Sequence, residues 1–273
     1  MRFAGGQILC HSGRTDPGRH GERILCCELL PGRGQQGYLD SFGGRSLMLS
    51  SAAERIYWLG RYMERTENLC RLLNVYSAML FDLPKGTRLG WDTLIDIIGC
   101  HEDFSDRYQK KDERNVISFL ITDLKNPVSI HSNLRQAREN ARTVREIIPS
   151  EVWEEINKAY LFCRENAPNM LSRGPRNNLL QYIISDCLEI TGLFSSAMSH
   201  DTAYNFIHLG RKLERADMTT RIVDVGSVSL LPELTRSEQD NLLEPYENIV
   251  WMSVLRSLSA YQSYSQRIHS HVN

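Results

Sequence analysis

From Ser50 onward, apolar residues recur three and four positions apart over long stretches, the spacing that lines one face of an α-helix. Ser50 or Ser51 stands where an N-cap belongs, and Glu54 follows Ser51 by three residues as in a capping box. The helix they open is expected to run to about Phe81, ahead of Pro84 and Gly86. The same spacing predicts helices over Trp91–Ile98, Glu113–Asp123, Ile130–Ile148, Glu151–Glu165, Asn177–Ser199, Thr202 to about Val225 and Tyr246 to about Ile268. Pro127, Pro149, Pro168, Pro175 and Pro232 fall between these segments, where a missing amide does least harm. Long helices joined by short turns predict an all-α fold, an antiparallel helical bundle.

Residues 1–47 carry no such period. They hold ten of the 18 glycines and three of the seven cysteines, and are expected to be a disordered Gly-rich tail, or translation upstream of a true start at Met48. Within them, Gly32-Arg33-Gly34-Gln35-Gln36-Gly37 has the form of a dinucleotide fingerprint. That fingerprint needs a helix opening at its third glycine and a second strand, and Tyr38 to Gly44 supplies neither, so no nucleotide site is read there.

The helical part, residues 48–273, repeats itself. Ala53–Leu73 aligns with Ala203–Val223 without a gap, and Leu59-Gly60-Arg61-Tyr62-Met63-Glu64-Arg65 shares five of its seven residues with Leu209-Gly210-Arg211-Lys212-Leu213-Glu214-Arg215. An acid and an arginine follow in each copy: Glu67 and Arg71, Asp217 and Arg221. With a register shift of ten residues, Trp91 then stands opposite Trp251, Phe104 opposite Tyr264 and Arg107 opposite Arg267. The expected organisation is an internal duplication, repeat one over about 50–200 and repeat two over about 201–273. The second copy stops before any counterpart of Phe119-Leu120-Ile121-Thr122-Asp123 and the helix beyond, so it is expected to be truncated at its C-terminus with an apolar face exposed. Gly60 and Gly210 each weaken a helix by about 0.5–1 kcal/mol relative to Ala, which points to close approach by another helix.

Composition narrows the function classes. A formal charge of −1, from 32 basic and 33 acidic groups, gives no general attraction to nucleic acid or anionic lipid. No apolar run reaches the roughly 20 residues of a membrane span, and no secretory signal precedes the helices. Seven cysteines without a Cys-x-x-Cys pair suit a reducing, cytoplasmic setting.

The candidate site is the charged stripe of the repeat. Arg61, Glu64, Arg65 and Asn68 fall within about 100° of helical arc, widened by Glu67 and Arg71, while Leu59, Met63, Leu69, Cys70 and Leu73 occupy the other side. Arg211, Glu214, Arg215, Asp217 and Arg221 repeat the charges. Three readings stand open: a solvated face, a buried ion-pair network joining the copies, or a ligand or catalytic site built from carboxylates and fixed guanidinium donors. A second stripe, Arg135, Arg138, Arg142 and Arg145, spans about 80° and calls for an anion opposite, supplied by Glu64, Glu67, Glu214 and Asp217 or from outside. No histidine completes a Glu-x-x-His pair, so no metal is expected, nor any cofactor.

Met48-Leu49-Ser50, the run from Ala53 to Arg65, Ala137 to Arg142 and Leu213 to Asp217 together resemble the bacterial Alpha-E family, helical proteins named for a Glu-Arg motif. The resemblance covers Met48 to about Ser265 and implies an origin at Met48 and a further segment beyond Tyr264. It also implies gene neighbourhoods with a circularly permuted ATP-grasp protein and a transglutaminase-like protease, hence an accessory or partner-binding role in a peptide- or amide-bond-forming system. It implies no established reaction. The alternatives are an enzyme using Glu64 and Glu214 as acid/base groups and a purely structural charge network.

Overall fold

The computed structural model describes residues 48–83, 89–230 and 247–270; the Gly-rich tail with its glycine pattern, Pro84, Gly86 and Pro232 lie outside them. Among the described residues there are α-helices and short π and 3₁₀ turns, and no strand. The first helix, α1 (Ser50–Asp82), is 33 residues long and forms the axis of the fold. Neither serine caps it. Leu49 holds the N-cap position, with no side-chain cap bond, and Met48 packs on the core one residue upstream of it.

Three helices complete an up-and-down bundle with α1. They are α5 (Ile130–Thr143), α6 (Ser150–Asn166) and α7 (Arg173–Ala197). Their directions follow from the side chains that meet. Arg55 near the start of α1 donates to Asn140 near the end of α5; His131 lies against Tyr160 while Arg145 lies over Trp153; Phe162 stacks on Tyr182; and Arg173, opening α7, covers Phe81, near the end of α1. Each neighbour therefore runs antiparallel to the last. Ile56, Leu59, Leu69, Leu73, Leu134, Ala137, Ala141, Ile156, Ala159 and Ile183 are fully enclosed between them. The two alanines of α5, Ala137 and Ala141, four residues apart, let it approach closely.

Between α1 and α5 the chain forms α2 (Asp92–Ile98), α3 (His101–Ser105), α4 (Glu113–Ile117) and a π turn over Ser118–Thr122. The sequence reading gave one helix over Glu113–Asp123. The last part instead widens so that the Asp123 amide donates to Ser118 O at 3.0 Å, and Asn126 Nδ2 caps Phe119 O at 2.9 Å. This turn seats Phe119 edge-on against Phe104, ring centroids 5.1 Å apart. Other boundaries differ too. Helix α5 ends at Thr143 rather than Ile148, because Val144 leaves helical geometry at φ −119°, ψ 23° shortly before Pro149. Helix α7 starts at Arg173, which places Pro175 in its first turn, where the missing amide has no partner to lose. Helix α3 was not foreseen.

After α7 come α8 (Thr202–Leu230), α9 (Glu247–Ser257) and α10 (Tyr261–Ser270); one long final helix was expected, and a turn at Leu258–Ala260 divides it. That turn has the geometry of the one between α2 and α3. Gly99 has φ 74° and Ser259 φ 58°, the two positive values among the described residues. The Cys100 amide donates to Ile95 O at 3.3 Å and the Ala260 amide to Leu255 O at 2.8 Å, each bridging a left-handed residue that ends a helix. The positions differ by 160, the offset that sets Trp91 opposite Trp251.

Candidate functional site

The two Leu-Gly-Arg-x-x-Glu-Arg segments lie against each other. A Cβ built on Gly60 would stand 2.5 Å from the carbonyl oxygen of Ile207, and one on Gly210 closer still to that of Tyr57. Real Cβ atoms do not approach an oxygen so closely. Each glycine therefore exists to admit the other helix's backbone, three residues before that helix's own glycine. Tyr57 with Gly210, Arg61 with Glu214 and Glu64 with Arg215 show the contacts advancing together along both helices, so α1 and α8 run parallel.

One turn beyond the glycines the charges interlock. Glu64 on α1 accepts from two arginines of α8, Arg215 Nε at 2.6 Å and Arg211 Nε at 3.1 Å. Glu214 on α8 accepts from two arginines of α1, Arg65 at 2.6 Å through Nε and 3.0 Å through Nη2, and Arg61. The arrangement is reciprocal at an offset of 150. Glu64 and Glu214 are 1% and 2% exposed, too enclosed to be solvated, and burial of a carboxylate costs several kcal/mol unless it is paired and hydrogen-bonded. Here each has two guanidinium partners, and the fork geometry of arginine suits a carboxylate better than a lysine would. Burial pushes the Glu214 carboxyl upward, but the hydrogen bond and charge of Arg65 and the charge of Arg61 outweigh it and hold the group below its ordinary range. The hydrogen bond to Glu64 raises Arg215; burial lowers Arg61, but Glu214 and Tyr57 together outweigh it and raise the group.

The flanking acids form matched pairs within their own helices. Glu67 takes Arg71 at 2.6 Å, and Asp217 takes Arg221 at 3.1 Å. Arg221 also reaches the Ile98 carbonyl at 3.1 Å, tying α8 to the end of α2. Beside this edge lies a cavity of about 20 Å³ lined by Glu67, Asn68, Arg215, Thr219 and Ser259, with Asn68 Nδ2 unpaired, which is room for about one water. The Tyr57 hydroxyl accepts from Arg61 Nη1 at 3.0 Å.

The arginine stripe of α5 is elsewhere. Arg138 and Arg142 were expected to face either Glu64, Glu67, Glu214 and Asp217 or an external anion, and they do not meet those four acids. Both pair with Glu139, at 3.1 and 3.0 Å, and Arg138 also donates to Asn157 and lies over Trp153 and Tyr160. The acids of α1 and α8 are already paired with arginines of those two helices, and Arg138 and Arg145 rest instead on the rings of α6.

One polar cluster escaped the sequence reading. Lys158 on α6 pairs with Glu155 and, at 3.6 Å, with the buried Asp186 of α7, and the oxygens of Glu155, Asp186 and Glu189 lie within 4.8 Å of one another. Burial pushes Asp186 up to about 6, against the pull of Lys158. Only the packing of α6 on α7 brings these residues together, so no spacing in the sequence marks them.

Parallel crossing of two long helices on paired glycines, sealed by exchanged Glu-Arg contacts, defines an all-α protein whose signature lies in a helix interface. Residues 48–273 match the Alpha-E family, described as a predicted alpha-helical domain with a conserved ER motif, and the chain belongs to that family. Neither curated proteins nor solved structures contain a match to this chain.

Proposed function

We propose that this chain is a non-catalytic, partner-binding component of a peptide- or amide-bond-forming system, and that its Glu-Arg motif holds two helices together. The supporting observation is the enclosure of Glu64 and Glu214. A general acid or base must reach a substrate atom to about hydrogen-bond distance, whereas these carboxylates are covered and committed to two arginines each. The neighbouring cavity, about 20 Å³, has room for about one water. At the rim, Arg215 is 52% and Asp217 39% exposed, and these are the motif positions a partner reaches.

The reciprocal contacts at an offset of 150 favour reading the chain as an internal duplication whose two halves are joined by the motif. Family membership favours a bacterial source and, as partners, a circularly permuted ATP-grasp protein and a transglutaminase-like protease. A cytoplasmic location agrees with the buried free thiols of Cys70, Cys163 and Cys187 and with the lack of any described helix long and apolar enough to cross a membrane. The test is titration of the full chain with the ATP-grasp protein encoded beside its gene. A saturable complex that persists in Glu64→Gln/Glu214→Gln protein, if it stays folded, supports the accessory reading; no complex, or turnover lost in that variant, removes it.

A further inference from the structure

Positions matched at the offset of 150 have very different surroundings. On α1 the stripe Leu59, Met63 and Leu73 is 0%, 4% and 0% exposed, under α5 and α7. On α8 the counterparts Leu209, Leu213 and Val223 are 49%, 46% and 39% exposed. Ala216 and Thr220 complete that stripe, and both are exposed, whereas their counterparts Thr66 and Cys70 are buried. Spacings of four, three, four and three make it a continuous seam of the kind that receives one other helix. A contiguous apolar seam of this length left in water marks an interaction surface.

The offset of 160 gives the same contrast independently. Phe104 is 1% exposed beneath Phe119, and its counterpart Tyr264 on α10 is 51% exposed. In the first half the two covered patches lie under consecutive parts of one segment, the π turn carrying Phe119 and the helix α5. One occupant therefore accounts for both bare patches.

We infer that the α8 seam is a docking surface for an amphipathic helix of the chemistry of α5. The stripe of that helix is Ile130, Leu134, Ala137, Ala141 and Val144, itself spaced four, three, four and three, and buried throughout. Its small residues allow the close approach that a flat Leu-Leu-Ala-Thr-Val seam requires. Its polar edge also has a counterpart: Asn140 accepts from Arg55 at 3.1 Å, and Asn205, the residue matched to Arg55, offers an amide donor at the same place. This reading is independent of the ATP-grasp partner, because it concerns which helix fits the seam and not which protein carries it.

The experiment titrates the full chain into a fluorescein-labelled peptide of residues 118–146, followed by anisotropy, with the oligomeric state measured by light scattering at the same concentrations. Saturable binding to a monomeric chain is expected, weakened about tenfold or more by Leu209→Glu/Leu213→Glu in the chain and by Leu134→Glu/Ala137→Glu in the peptide. The two α8 positions are half exposed, so the variant keeps its helical circular dichroism, and the peptide variant tests the same seam with the chain untouched. Three results overturn the inference: no binding, binding that neither variant weakens, or a dimer of the chain that Leu209→Glu/Leu213→Glu dissolves, which would give the seam to a second copy.

Discussion

Gly60 and Ile207 are in backbone contact across two helices that are far apart in the chain, with no room for a Cβ between them. The usual rule for a helix-interior glycine is that alanine stabilises by about 0.5–1 kcal/mol. At this crossing the rule reverses. Gly60→Ala and Gly210→Ala should each lower stability by about 1–3 kcal/mol, the range for overpacking, because the obstacle is a carbonyl and not a movable side-chain tip. Gly192→Ala, in α7 with nothing within 4 Å of its Cβ position, should be neutral or stabilising. Urea melts of the three variants check the contrast, and equal effects at all three would remove the close-approach argument.

The paired turns at Gly99 and Ser259 make a second prediction. A left-handed residue with a Cβ carries a penalty of roughly 1–2 kcal/mol, so Gly99→Ala should destabilise by about that amount, while Ser259→Gly should stabilise by up to about 1 kcal/mol. Thermal denaturation of both proteins measures the opposite signs.

Much of this fold is written in the hydrophobic spacing, and the part that is not has an identifiable cause. The long helices α1, α6, α7 and α8 were legible because each buries one stripe over many turns. The π turn at Ser118–Thr122 and the end of α5 were not, since both are set by local backbone geometry and by partners such as Phe104 and Asn126. The stripe Arg61, Glu64, Arg65 was visible, but polarity alone does not distinguish a solvated face from one sealed by its own counter-charges. The two glycines held that information: a helix interior that tolerates Gly60 and Gly210 has a neighbour at that spot, and the neighbour carries the answering charges. The α5 arginines misled for a different reason: the anion of Arg138 and Arg142 is Glu139 on their own helix, and Arg138 and Arg145 rest on aromatic rings, which a search for anions does not consider.

Two carboxyls give stability opposite pH dependences. Glu214 is held below its ordinary value of 4.5 when folded, so its contribution is complete above that value and is lost as pH falls through the lower folded value. Asp186 is raised from 3.8 to about 6, so the folded protein binds the extra proton between those values and stability declines as pH rises across them. Asp186→Asn should abolish the decline between about pH 4 and 6, and Glu214→Gln should flatten the acid limb below it. Denaturant midpoints measured from pH 3 to 8 separate the two.

Thiol chemistry should follow burial. Cys70 and Cys187 are enclosed with their thiols pushed well up, and burial pushes Cys163 up to about 12, so little thiolate forms at neutral pH. Cys100 is only partly covered. Among these four, iodoacetamide should label Cys100 in the native protein and the other three only after denaturation, read by peptide mass mapping.

The central claim, that the Glu-Arg motif is a lock between α1 and α8, is tested most directly by a double-mutant cycle on Arg65 and Glu214. The account predicts that Glu214→Ala alone loses about 3–5 kcal/mol, since it leaves Arg61 and Arg65 without their anion, and that the two substitutions are coupled by about 1–3 kcal/mol. Additive effects within about 0.5 kcal/mol, with Glu214→Ala folding as stably as the parent, would contradict it.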